Sequence, residues 1–169
     1  MEQYRHFIDR FYAATNKIDG LYYVAARRLG VNENTLAVFY SLADGVPRSQ
    51  KQLSQELLIP KTTINTVVQE QIRSGHVQLV RGTHSKEKEI VLTAQGRDYA
   101  RQLLRPLYAA EQQAMEQTLE QFSPEFVSAL ERFSARLHQE FHEIIRKEAR
   151  CREAGSSGTE NNRAETERS

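Results

Sequence analysis

Apolar residues recur along most of this chain at spacings of three, four and seven, the rhythm of amphipathic helices. Phe7, Phe11, Ile18, Leu21, Tyr22, Ala25 and Leu29 make one stripe over residues 3–29, and Gly30 follows as a stop. Leu36, Phe39, Tyr40 and Ala43 mark a second helix over about 33–43, which ADGVPRS breaks. Ser49 to Gln52 reads S-x-x-Q, a capping box, and opens a short helix carrying Leu53 and Leu57. After a turn at LIP, a helix runs from about Lys61 to Ser74, with Gly75 as its terminator. VQLVRG and KEIVLT then read as two short strands, joined by the polar tip GTHSKEK. Thr93 is placed to cap a helix reaching about Gln121, in which Pro106 predicts a kink or a break. Ser123 and Pro124 start a last helix with Phe126, Leu130, Phe133, Leu137, Phe141 and Ile144 on one side. From Cys151 to Ser169 there is no large apolar residue, so this segment is expected to be a disordered tail.

One of these helices has an unusual opening. KTTINT begins it with small polar side chains, which are mediocre helix formers because they compete for backbone hydrogen bonds. At about 100° per residue, Ile64, Val67, Val68 and Ile72 share one arc, which must pack inward. Thr62, Asn65, Thr66, Gln69 and Arg73 fall opposite, with Thr63 and Glu70 at a margin. Such a face suits the edges of base pairs. Thr can bond a base or touch a thymine methyl, and Asn and Gln can pair with adenine. Lys61 and Arg73, at the ends, can hold phosphates. The alternative is an ordinary solvated helix face. The surrounding order favours nucleic acid: capped helix, three-residue turn, second helix with an outward polar face, then two strands. That is a winged helix-turn-helix.

Bulk charge says little, since the whole chain carries only +1. Its distribution says more. Between Arg48 and Arg97 eight Lys and Arg face four Glu, leaving that window at +4. The excess lies on the segment expected to meet DNA. The contact set predicted is therefore Lys61, Thr62, Thr63, Asn65, Thr66, Gln69 and Arg73 on the helix, with Arg81, Lys86 and Lys88 on the wing.

QLSQELLIPKTTINTVVQEQIRSGHV followed by LTAQGR resembles the MarR family of bacterial transcriptional regulators, and the likeness covers about residues 3–148. Leu53, Leu57, Ile59, Ile64, Val67, Ile72 and Gly75 stand at framework positions, and Leu92, Thr93 and Gly96 match a Leu-Thr-x-x-Gly after the wing. The chain departs from the family at Leu58, where a turn Gly is common, and at Pro60, in place of a Ser cap. At the wing tip, His84 and Lys86 replace an Asp–Arg pair. The resemblance implies a mainly α fold, with a winged helix-turn-helix over 32–93 and a dimerisation region from 1–31 and 94–150. It also implies a homodimer binding double-stranded DNA at a near-palindromic operator. A small-molecule effector pocket is implied near Tyr22, Tyr23, Phe39 and Tyr40, although a core role is the favoured reading of Phe39 and Tyr22.

The long terminal helices support the dimer independently. Each spans about 40 Å, and a small winged unit cannot cover their apolar stripes. Other chemistry is thin. His138 and His142 stand one turn apart, but a solvated pair is expected rather than a zinc site. Cys151 has no fixed surroundings to activate it, and a single thiol fits a reducing compartment. No apolar run reaches the ~20 residues of a membrane span. A cytoplasmic location is expected, since the first ten residues have no signal-peptide core. Enzyme motifs are missing, and neither cofactor nor metal is expected. The leading reading is a repressor released by a ligand. A winged protein-interaction module without DNA binding, or a metal-responsive regulator, are the competing ones.

Overall fold

A computed structural model of the chain describes residues 2–82 and 87–166. Contacts divide the chain after Gln113 into two compact units. The first begins with a 3-10 turn, Glu2–Tyr4, and α1, Arg5–Arg28. Next come α2 (Glu33–Leu42), β1 (Arg48–Ser49), α3 (Gln50–Leu57) and α4 (Lys61–Arg73). The strands β2 (Val77–Arg81) and β3 (Lys88–Leu92) follow, then α5 (Ala94–Leu119), whose last turns enter the second unit. The three strands form an antiparallel sheet in the order β1-β3-β2, with Val77 opposite Leu92 and Arg81 opposite Lys88.

Local chemistry accounts for most boundaries. Asn32 caps α2 by accepting from the Thr35 N–H at 2.8 Å. The expected capping box is complete: Gln52 N–H donates to Ser49 Oγ, and Ser49 N–H to Gln52 Oε1. Gly75 ends α4 with φ +77, a conformation that costs glycine nothing. Leu58, at the turn between α3 and α4, adopts a left-handed conformation too, with φ 54, and pays for it as a side-chain-bearing residue. Thr93 caps α5: its Oγ1 accepts from Gly96 N–H at 2.9 Å and donates to the Gly75 carbonyl at 2.7 Å. A Cβ on Gly96 would stand 1.8 Å from the His76 carbonyl oxygen. The Leu-Thr-x-x-Gly motif is thus a clasp that fastens α5 to the end of α4.

The core of this unit gathers Ala26 of α1, Leu36, Val38, Phe39 and Leu42 of α2, Leu53 of α3, and Ile64, Val67 and Val68 of α4. Val77, Ile90 and Leu92 join from the sheet, and Ala100, Leu103, Leu104 and Leu107 from α5. The packed unit therefore reaches further along α5 than the boundary at residue 93 drawn from the sequence. Pro106 lies inside α5, which continues through it to Leu119.

The second unit holds the end of α5 and α6, Glu125–Thr166. Ser123 Oγ accepts from the Glu125 N–H at its start. Phe126, Leu130, Phe133, Leu137 and Phe141 all remain exposed along α6. The backbone is helical from 151 to 166, where composition led to the expectation of a disordered tail. A helix already nucleated propagates with one hydrogen bond per added residue, needing no apolar burial of its own.

Candidate nucleic-acid interface and cleft

The core anchors α4 through Ile64, Val67 and Val68, all buried, with Ile72 packed at the margin. That fixes the helix's rotation, so Thr62, Asn65, Thr66, Gln69 and Arg73 are exposed, as is Lys61 at the first turn. Thr63 and Glu70 are half-buried, at the margin the helical wheel gave them. Not every polar atom on this face is equally available. Thr66 Oγ1 donates to the Thr62 carbonyl at 3.1 Å, leaving its oxygen lone pair and methyl outward. Gln50 Nε2 of α3 donates to Asn65 Oδ1 at 3.2 Å. Arg73 Nε reaches back to the Gln69 carbonyl at 3.4 Å, at the end of the helix. Lys61 stands at a helix N-terminus, where the backbone's positive end disfavours a cation and favours an anion.

Arg81 and Lys88 face each other across β2 and β3 and are both exposed. Like charges directly opposite in an antiparallel pair repel, so this placement gains when an anion lies between them. His84 and Lys86, expected at the wing tip, lie outside the described residues.

Arg48 is spent differently from what the charge count implied. Its guanidinium bonds both oxygens of Asp44 at 2.6 and 2.8 Å, Glu56 at 3.0 Å, and the Ser41 and Val46 carbonyls. It ties the end of α2 to α3. The hydrogen bond from Arg48, with the Val46 N–H behind it, holds the Asp44 carboxyl down at about 2.

A cleft of about 420 Å³ opens between α1, α2 and α3. Leu36, Ala37 and Leu57 supply apolar lining, and Tyr22, Tyr40, Glu33 and Ser41 the polar groups. Tyr22 Oη donates to Glu111 Oε1 at 2.6 Å, and Tyr40 Oη to Glu111 Oε2 at 2.9 Å. Tyr108 packs edge-on to Tyr40, with ring centroids 5.4 Å apart. Burial first, then the hydrogen bond to Glu111, raises both phenols, Tyr40 to about 12 and Tyr22 further. Burial and the nearby carboxylates of Glu111 and Asp44 raise Tyr108 as well. All three phenols therefore keep their protons at neutral pH.

Of the four aromatics expected at an effector pocket, the structure brings together Tyr22 and Tyr40. Tyr23 instead accepts from Arg27 at 2.9 Å on the exposed side of α1. Phe39 is fully buried against Tyr99 and His76, so it is a core residue. Tyr22 is 37% exposed and lines the cleft, in place of the core role favoured for it. Sequence reasoning missed Glu111, whose partners lie 71 and 89 residues away.

His138 and His142 are exposed, with ring centroids 5.7 Å apart. Among the described residues no group of three or more His, Cys, Asp or Glu is arranged to hold a metal. None of their helices is long and apolar enough to cross a membrane.

No family model and no curated protein sequence matches the chain. Solved structures do. It is similar to NMB1585, a MarR family regulator from Neisseria meningitidis, at 21% identity and a TM-score of 0.66, covering 87% of this chain and 99% of that one. The regulator SPO1453 from Silicibacter pomeroyi gives 16% identity and 0.65, covering 79% and 96%. This is a MarR-type winged-helix fold. A third similar structure is NadR in complex with 4-hydroxyphenylacetate, at 13% identity and 0.63, covering 81% of this chain and 95% of that one.

Proposed function

We propose that the chain is a sequence-specific DNA-binding transcriptional regulator, acting as a homodimeric repressor that a small ligand releases. The observation that carries the reading is the rotation of α4. Its apolar residues are locked into the core, so Thr62, Asn65, Thr66 and Gln69 face outward beside a β-hairpin wing. In this arrangement the second helix of the motif enters the major groove and the first braces it against the backbone. Lys61, Arg73, Arg81 and Lys88 contribute phosphate contacts, which set register rather than sequence.

The dimer reading rests on exposed apolar side chains. Phe7, Tyr12, Ile18 and Leu21 lie open on α1, and Phe126, Phe133 and Phe141 on α6. An apolar stripe left open along either helix marks an interface. Two-fold symmetry then sets the recognition helices about 34 Å apart and requires a near-palindromic operator. Effector release has the Tyr22–Tyr40 cleft as its support, together with the ligand held by a protein of similar fold.

Selection of bound DNA from a random pool, followed by gel shift on the selected site, tests the reading. The expected result is an inverted repeat bound with steep salt dependence. A chain that binds every duplex alike, or none, refutes it. Light scattering should give twice the mass of the 19.5 kDa chain.

A further inference from the structure

The cleft between α1, α2 and α3 has a chemistry that selects the sign of its ligand. The Tyr22 and Tyr40 hydroxyl protons are committed to Glu111, one to each carboxylate oxygen. Their phenolic oxygens therefore present lone pairs, not donors. The charged group in the lining is Glu33, and Glu111 lies directly behind the phenols. Among the described residues lining the cleft there is no Lys or Arg. Arg48 bonds the Ser41 carbonyl, but Asp44 and Glu56 already match its charge. Two aromatic rings, Tyr22 and Tyr40, border the space, with Tyr108 packed against the second. Aromatic faces attract cations, and an apolar wall accepts a hydrocarbon body.

We infer that this cleft binds an organic cation, an ammonium group carried on an aromatic or aliphatic body. The ammonium lies against the Tyr22 and Tyr40 phenols, with Glu111 and Glu33 supplying the opposite charge. The hydrocarbon part packs on Leu36, Ala37 and Leu57. A carboxylate ligand would meet two carboxylates and, among the described residues lining the cleft, no cation to pair with, so the site discriminates against it. The role of such a cation in releasing DNA rests on the regulator reading, whereas its binding does not.

Calorimetry on the full chain without DNA tests this, using benzyltrimethylammonium and benzoate as a pair alike in body and opposite in charge. The cation is expected to bind at least about tenfold tighter than the anion. Glu111→Gln, which keeps a hydrogen-bond acceptor and removes the charge, should weaken the cation by about tenfold, and Tyr40→Phe should weaken it as well. Circular dichroism establishes that Glu111→Gln is folded, and Tyr40→Phe carries the test if it is not. Benzoate binding as tightly as the cation, unchanged affinity in both variants, or no heat with either probe would overturn the inference. Gel shift with the cation separates the two readings. Cation binding by a chain that never forms a specific DNA complex sinks the regulator alone. Specific DNA binding by a chain that ignores the cation sinks the cleft inference alone.

Discussion

Gly96→Ala tests the clasp that fastens α5 to the end of α4. An added Cβ would sit 1.8 Å from the His76 carbonyl oxygen, whereas real Cβ contacts stay above 3.0 Å. The obstacle is backbone, so α5 must retreat by about 1.2 Å. That retreat carries Thr93 with it, so the Thr93–Gly96 cap inside α5 survives. It stretches the bonds from Thr93 N–H to the His76 carbonyl at 2.9 Å and from Thr93 Oγ1 to the Gly75 carbonyl at 2.7 Å, each worth about 1 kcal/mol. It also loosens the His76–Tyr99 stack at 4.2 Å, worth about 0.5–1 kcal/mol. Against these, Ala gains about 1 kcal/mol over Gly in helix propensity. The losses win, and the variant should be about 1.5–2 kcal/mol less stable. For a chain of this length that is a drop in Tm of roughly 3–8 °C, read by thermal circular dichroism at fixed protein concentration. An unchanged or raised Tm would mean that propensity dominates and that α5 does not approach the turn this closely.

Other substitutions probe separate parts of the account. Leu58→Gly should raise stability by about 0.5–1 kcal/mol, because relief of the left-handed conformation exceeds the added freedom of the unfolded chain. Leu58 is 75% exposed, so little burial is lost, and a lower urea midpoint would refute the strain. Asp44 is held at about 2, below the ordinary carboxylate value of 3.8, so its contribution to stability is whole above that value and fades as pH falls towards 2. In Arg48→Ala that acid-sensitive part should shrink to what the Val46 N–H alone sustains, and an unaltered profile would show the pair to be idle. Asn65→Ala should cost about 1–3 kcal/mol against one base pair and little elsewhere. Lys88→Ala should weaken all sequences alike and flatten the salt slope by about 1. Anisotropy titrations with matched and mismatched duplexes distinguish the two, and identical behaviour would show that the contacts are misassigned.

Much of this was legible in the sequence where the information is local. The Ser49–Gln52 box, the Gly75 stop and the Thr93 cap each depend on residues a turn or so apart, and each forms as expected. The rotation of α4 follows from the period of Ile64, Val67 and Val68 alone. What escaped is long-range. The strand β1 is two residues long and exists because β3 pairs with it at Arg48 and Ser49. Arg48 looked like part of a basic surface because its partners come from α2, α3 and the loop between them. Tyr22 and Tyr23 are adjacent in sequence, as are Phe39 and Tyr40, but α1 and α2 turn one of each pair, Tyr22 and Tyr40, towards the cleft. Glu111, which organises them, carries no local signature.

The reading stands or falls on which way the small polar side chains of α4 point. Thr62, Asn65 and Thr66 replaced together by Ala should leave the fold intact, since all three are exposed and the Ala variants favour helix. Titration of the triple variant and the parent chain with a selected operator and a scrambled duplex, at moderate salt, measures this directly. The account predicts that the variant loses its preference for the operator while keeping the weak, salt-dependent binding that the phosphate contacts supply. A triple variant that discriminates between the two duplexes as well as the parent does would contradict it.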